Sequence, residues 1–119
     1  MAYKFEKLEV WRLAVEYVDL IYRVAAQLPK GEEYNLKSQI VRAATSICLN
    51  IAEGSTSQSN AEQRRFLGMA IRSLIETVAC LHLSERRAYL DAALFREAYT
   101  FSEKLFAKLQ AFRAALKDG

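Results

Sequence analysis

The sequence predicts an all-α fold, an antiparallel up-down four-helix bundle occupying residues 1–119 as a single domain. Three observations lead there. Apolar residues recur at spacings of three and four along four separate segments, as helices with one buried side require. The chain holds one proline and four glycines, so helix breakers are scarce and long helices are allowed. No stretch alternates apolar and polar residues with a period of two, so no strand is predicted. A chain of 119 residues can bury most of its apolar surface without a disulfide or a metal.

The first helix is predicted over residues 10–27. Trp11, Ala14, Val18, Ile21, Ala25 and Leu28 form its apolar seam, opposed by a polar stripe of Arg12, Glu16, Asp19 and Arg23. Arg12–Glu16 and Asp19–Arg23 are i,i+4 pairs, each worth about 0.2–0.5 kcal/mol if formed. Pro29, Lys30 and Gly31 end the helix. The second covers residues 36–53, with Leu36, Ile40, Ala43, Ile47 and Ile51 on one face. Gly54 stands where a left-handed C-terminal cap is expected. Residues 55–58 read as a loop too polar to pack.

The third helix opens at Ser59. The run Ser59-Asn60-Ala61-Glu62 has the capping-box form, in which hydroxyl and carboxylate each satisfy an orphan backbone N–H. It continues to residue 87, about 40 Å at 1.5 Å per residue. The fourth opens at Asp91 as N-cap and carries Leu94, Ala98, Phe101, Leu105, Leu109, Phe112 and Leu116. The short connections make sequence neighbours antiparallel.

Two helices carry more apolar residues than the roughly three in seven that one core seam needs. Val10, Leu13, Tyr17, Leu20 and Val24 lie beyond the seam of the first, and Phe95, Tyr99 and Phe106 are additional aromatics on the fourth. Partial burial at the seam edges is one reading. A second buried face against another subunit is the other, and it predicts a homo-oligomer.

Composition narrows the function classes. Hydrophobic residues at 52% and charged residues at 26% describe a globular chain. No uninterrupted apolar stretch approaches the ~20 residues of a span, and the N-terminus lacks a signal-peptide core. A cytoplasmic protein with no membrane partner is expected. Cys48 and Cys80 are expected as core thiols rather than a bridge in a reducing compartment. His82 is the single histidine; with Cys80 it offers two of the four ligands a structural zinc needs. No glycine-rich phosphate loop or nucleophile elbow occurs. The expectation is therefore no catalytic, cofactor-binding or metal residue, no cofactor, and no small-molecule substrate.

Two polar constellations remain. Gln39, Arg42, Ser46, Asn50 and Glu53 recur with helical spacing along the second helix, and Ser73 and Glu76 supply a hydroxyl and a carboxylate on the third. Short amides and hydroxyls with one arginine suit a semi-buried hydrogen-bond network, whereas a solvated face usually carries lysine and glutamate. The second constellation is cationic: Arg64, Arg65, Arg72, Arg86 and Arg87 on the third helix, with Lys104 and Lys108 on the fourth. The net charge is only +3, so these residues serve either solubility or, repeated by symmetry, phosphate binding.

The run from Gln39 to Gly54, QIVRAATSICLNIAEG, resembles the signature of the four-helix bundle proteins encoded in intervening sequences of bacterial large-subunit ribosomal RNA genes. The likeness extends to Phe5, Leu8, Val10-Trp11 and Ala14, then Pro29, Tyr34 and Leu36, and on through Ser59, Glu62, Phe66-Leu67, Ser73-Leu74 and Glu76. It implies a bundle assembled as a ring, usually a pentamer, without enzymatic activity. The family is similar to accessory proteins of diversity-generating retroelements, which partner a reverse transcriptase and RNA. RNA or a ribonucleoprotein is thus the expected partner, and a protein-docking adaptor without nucleic-acid binding is the alternative. The chain departs from the pattern at Val41-Arg42, where two arginines are common, and at Arg72, where a glycine precedes the serine.

Overall fold

A computed structural model describes residues 2–117. Four α-helices account for most of them: α1 (Glu9–Gln27), α2 (Leu36–Gly54), α3 (Asn60–Arg86) and α4 (Ala92–Ala115). Two 3-10 turns precede α1 and α2, at Lys4–Lys7 and Lys30–Glu32. No strand occurs among the described residues, and the fold is all-α, consistent with a four-helix bundle. Each helix packs on its sequence neighbours, α2 on α3 most extensively, and α4 closes against α1. The molecule measures 48 × 23 × 22 Å.

The core is one continuous column. Ala14, Tyr17, Ile21 and Val24 of α1 meet Ile40, Ile47 and Ile51 of α2, Leu67, Leu74 and Leu81 of α3, and Ala98, Leu105 and Leu109 of α4. A buried side-chain hydrogen bond joins the Tyr17 hydroxyl to Thr77 Oγ1 at 2.7 Å, and Thr77 donates onward to the Leu74 carbonyl at 2.6 Å. Burial pushes the Tyr17 phenol up to about 12 although the Thr77 bond acts in the opposite sense.

The apolar excess of α1 is internal. Val10, Leu13, Tyr17, Leu20 and Val24 are all buried in the chain's own core, while Trp11 and Val18 of the expected seam are half-buried at its edge. The reason is that α1 packs on both α2 and α4, so its buried band must be wider than one seam. On α4, Phe95 and Tyr99 are half-buried and Phe106 is exposed. The charge pairing on α1 also differs from expectation: Arg23 reaches across to Glu97 of α4, at 3.2 and 3.4 Å, rather than to Asp19.

Both expected N-caps form, at Ser59 through the hydroxyl half of the expected box. Ser59 Oγ accepts from Glu62 N at 3.1 Å, and Asp91 accepts from Leu94 N at 2.7 Å. Gln27 fastens the second cap to α1, donating to the Asp91 carboxylate at 2.7 Å and accepting from its backbone N–H at 3.0 Å. The C-terminal expectation was misplaced by one helix. Gly54 is helical and buried, and α2 ends at Ser55 with right-handed geometry. The left-handed residue is Ala88, with φ of 60°, after α3. There Tyr89 N donates to Ser84 O at 3.0 Å and Ala88 N to Glu85 O at 2.9 Å, a Schellman turn built on alanine. Residues 55–58 are also less solvated than expected: Ser55 is buried, its Oγ donating to the Ala52 carbonyl at 2.7 Å.

By length and composition α3 is apolar enough to cross a membrane, although charged residues interrupt its apolar runs. Leu67, Ala70, Ile71, Leu74 and Leu81 of this helix line the core instead.

Candidate functional site

The polar residues of α2 and α3 converge on a groove between these helices. It encloses about 430 Å³ and is lined by Tyr34, Gln39, Arg42, Ser46, Ser73 and Glu76, with Ala43 at its base. Helical spacing puts Gln39, Arg42 and Ser46 along one edge of α2, and the close approach of α3 sets Ser73 and Glu76 opposite.

The groove has a bonded floor and unbonded walls. Ser73 Oγ donates to Ser46 Oγ at 3.0 Å, and Asn50 Nδ2 donates to Ser46 Oγ at 3.1 Å and to the Ser46 carbonyl at 2.9 Å. Gln39 is engaged at the upper end, donating to Asn35 Oδ1 at 3.2 Å. Arg42, Glu53 and Glu76 stand exposed outside this network. The sequence-level stripe therefore divides into a structural trio, Ser46–Asn50–Ser73, and a set of solvent-facing charges. Tyr34, just ahead of α2, is 96% exposed. In the sequence it stands out as an aromatic in an otherwise polar loop and as one of the residues of the family likeness.

The seven cationic candidates do not form one surface. Arg64 donates to the Leu116 carbonyl at 2.9 Å, and Asn60 donates to the Lys117 carbonyl at 2.7 Å, so the start of α3 caps the end of α4. Lys108 pairs with Glu9 of α1 at 3.5 Å. The Lys104 ammonium lies over the Phe101 ring at 5.7 Å, on the same side of α4. Arg87 helps keep Glu32 charged and lies beside Tyr89. Arg65, whose guanidinium sits over Phe66 at 4.8 Å, is exposed, as are Arg72 and Arg86. These three are seven and fourteen residues apart, so they fall on one line along the outer side of α3, about 32 Å from end to end.

Elsewhere the reactive side chains are quiet. Both cysteines are free and buried, and burial pushes the Cys48 thiol up to about 11 and raises that of Cys80. His82 meets Phe95 and Tyr99 edge-on, with ring centroids 5.5 and 5.7 Å away. No group of three His, Cys, Asp or Glu among the described residues could hold a metal ion.

Fold and site together define a small all-α protein with a polar groove beside its most intimate helix contact. The chain belongs to the 23S rRNA-intervening sequence protein family, whose profile matches residues 6–111. A similar solved structure is the 1.70 Å crystal structure of a protein with unknown function from the S23 ribosomal protein family of Bacteroides thetaiotaomicron VPI-5482. It is 26% identical, superposes with a TM-score of 0.80, and the match covers 87% of this chain and 97% of that one. Nothing among curated proteins matches the chain.

Proposed function

We propose that the chain is a non-enzymatic, cytoplasmic, homo-oligomeric binding module that engages RNA or a ribonucleoprotein through basic side chains repeated by symmetry. The observation that carries this reading is the line of Arg65, Arg72 and Arg86 on α3, exposed and without carboxylate partners among the described residues. Cations about 10 Å or more apart suit the phosphate backbone of a nucleic acid and carry no base-reading pattern. Family membership and the name of the solved relative agree with an RNA-linked role.

The bundle is antiparallel and up-down in this reading, because each helix packs beside its sequence neighbours through short connections. Assembly is supported by exposed apolar side chains on two separate sides. Val15 and Tyr22 project from α1, while Ile75 of α3 and Phe106 of α4 flank a shared groove. Two unlike patches favour a head-to-tail contact that closes into a ring, a pentamer being the family's usual size, over a two-fold dimer.

Light scattering of the purified chain tests assembly. A closed oligomer is expected, and Phe106→Glu or Tyr22→Glu shifts it to smaller species by placing a charge in the contact. Fluorescence anisotropy with single-stranded RNA at low salt tests the partner. Absence of binding there leaves the second reading, a ring that docks another protein through the same apolar patches.

A further inference from the structure

We propose that the α2–α3 groove is a subsite for one nucleotide of single-stranded RNA in each subunit, which rests on the RNA reading above and gives it a second, chemically distinct contact. Four groups in the groove keep binding capacity that the described residues do not use. The Tyr34 ring is 96% exposed, so no described residue packs on either of its faces. Arg42 and Glu76 line opposite walls, yet no ion pair joins them or links either to another described residue. Ser46 Oγ accepts from both Ser73 and Asn50, which occupies its two lone pairs. Its own proton has no acceptor among the described residues and is available to a ligand.

The site thus offers a flat π surface, a guanidinium with a hydroxyl donor nearby, and a carboxylate that can only accept. A ribonucleotide carries the complement of all three. Its base stacks on Tyr34, its phosphate takes Arg42 and the Ser46 proton, and its ribose 2′-hydroxyl donates to Glu76. An acidic side chain would satisfy Arg42 but brings neither a base for the Tyr34 ring nor a 2′-hydroxyl donor for Glu76. DNA lacks the 2′-hydroxyl and leaves the carboxylate without its donor. The groove volume of about 430 Å³ lies in the range of small-ligand sites, about 300–1,000 Å³.

The test is fluorescence anisotropy with a labelled single-stranded RNA and its DNA counterpart, at low salt. The wild type, Tyr34→Ala, Tyr34→Phe and Glu76→Gln are compared, with melting and light scattering as controls. Removing one stacked base contact is expected to weaken RNA binding by about tenfold in Tyr34→Ala and leave Tyr34→Phe near wild type. The wild type prefers RNA to DNA severalfold, and Glu76→Gln reduces that preference. RNA binding that ignores Tyr34→Ala and treats DNA equally overturns the subsite while leaving the α3 arginine line in place. No binding of either oligonucleotide overturns both. A change in oligomer mass on Tyr34→Ala, with RNA affinity unmoved, makes the groove a contact between copies and overturns the subsite as well.

Discussion

The backbone of Gly54 passes so close to Phe66 that a Cβ on the glycine would lie 2.8 Å from the Phe66 Cβ. The last turn of α2 and the first turns of α3 can approach this closely only because position 54 has no side chain. The glycine that closes the QIVRAATSICLNIAEG run is thus explained by packing rather than by backbone conformation. The obstructing atom sits at the root of a side chain and cannot swing aside, so the helices must separate to admit a methyl group. Gly54→Ala is expected to destabilise the fold by about 1–3 kcal/mol. Gly31 has open space around its Cβ position, so Gly31→Ala should stay within about 0.5 kcal/mol. Urea denaturation of the two variants makes the comparison.

The buried Tyr17–Thr77 bond predicts an asymmetry. Thr77 already donates to Leu74 O, so the tyrosine hydroxyl must be the donor between them. Tyr17→Phe removes a donor and leaves only a lone pair unfilled. Thr77→Val strands a buried hydroxyl proton, which costs about 1–3 kcal/mol and more than the tyrosine change. The double variant should be more stable than the sum of the singles predicts. A double-mutant cycle in denaturant measures it.

Ala88 occupies the left-handed region at φ of 60°, a conformation in which a Cβ is strained. Ala88→Gly relieves the strain but gives the unfolded chain more freedom. The strain relief is the larger effect, so a net gain of about 0.5–1 kcal/mol is expected in thermal or urea melts.

Acid should weaken the ties around the α3–α4 turn. Hydrogen bonds from Gln27 and from Leu94 N hold the Asp91 carboxyl below its ordinary value. Asn35, Leu36 N and Tyr89 do the same for Glu32. Both groups bind a proton more readily in the unfolded chain, so protons favour unfolding. Their contribution is present above the ordinary carboxylate range and is lost as pH falls through the depressed folded values. Asp91→Asn keeps a capping acceptor and removes one of these titrations. Its denaturation midpoint should vary less with acidification than that of the wild type.

Periodicity located all four helices because each has to bury a stripe with the spacing of a helix, and the polar N-caps Ser59 and Asp91 announced two of the starts. It could not say how wide the stripe on α1 had to be. That width depends on α1 touching two neighbours, so Leu20 and Val24 looked like surplus and were core. The groove was half legible. Ser46, Asn50 and Ser73 were recognisable as a polar stripe, but the exposure of Tyr34 follows from loop placement. The cationic residues were the least legible. Arg64 caps a helix 52 residues away, and Lys108 pairs with Glu9. Neither partner is visible in local spacing.

The arginine line on α3 is the surface we propose for RNA. The most direct test is the salt dependence of single-stranded RNA affinity for the wild type, for the Arg65, Arg72 and Arg86 triple change to glutamine, and for Lys104→Gln/Lys108→Gln. Each phosphate contact to a single strand contributes about −0.7 to the log–log slope. The arginine triple should flatten the slope by about 2 per subunit engaged, with oligomer mass unchanged, while the lysine pair leaves it close to wild type. A slope untouched by the arginine triple and flattened by the lysine pair would place RNA on α4 instead.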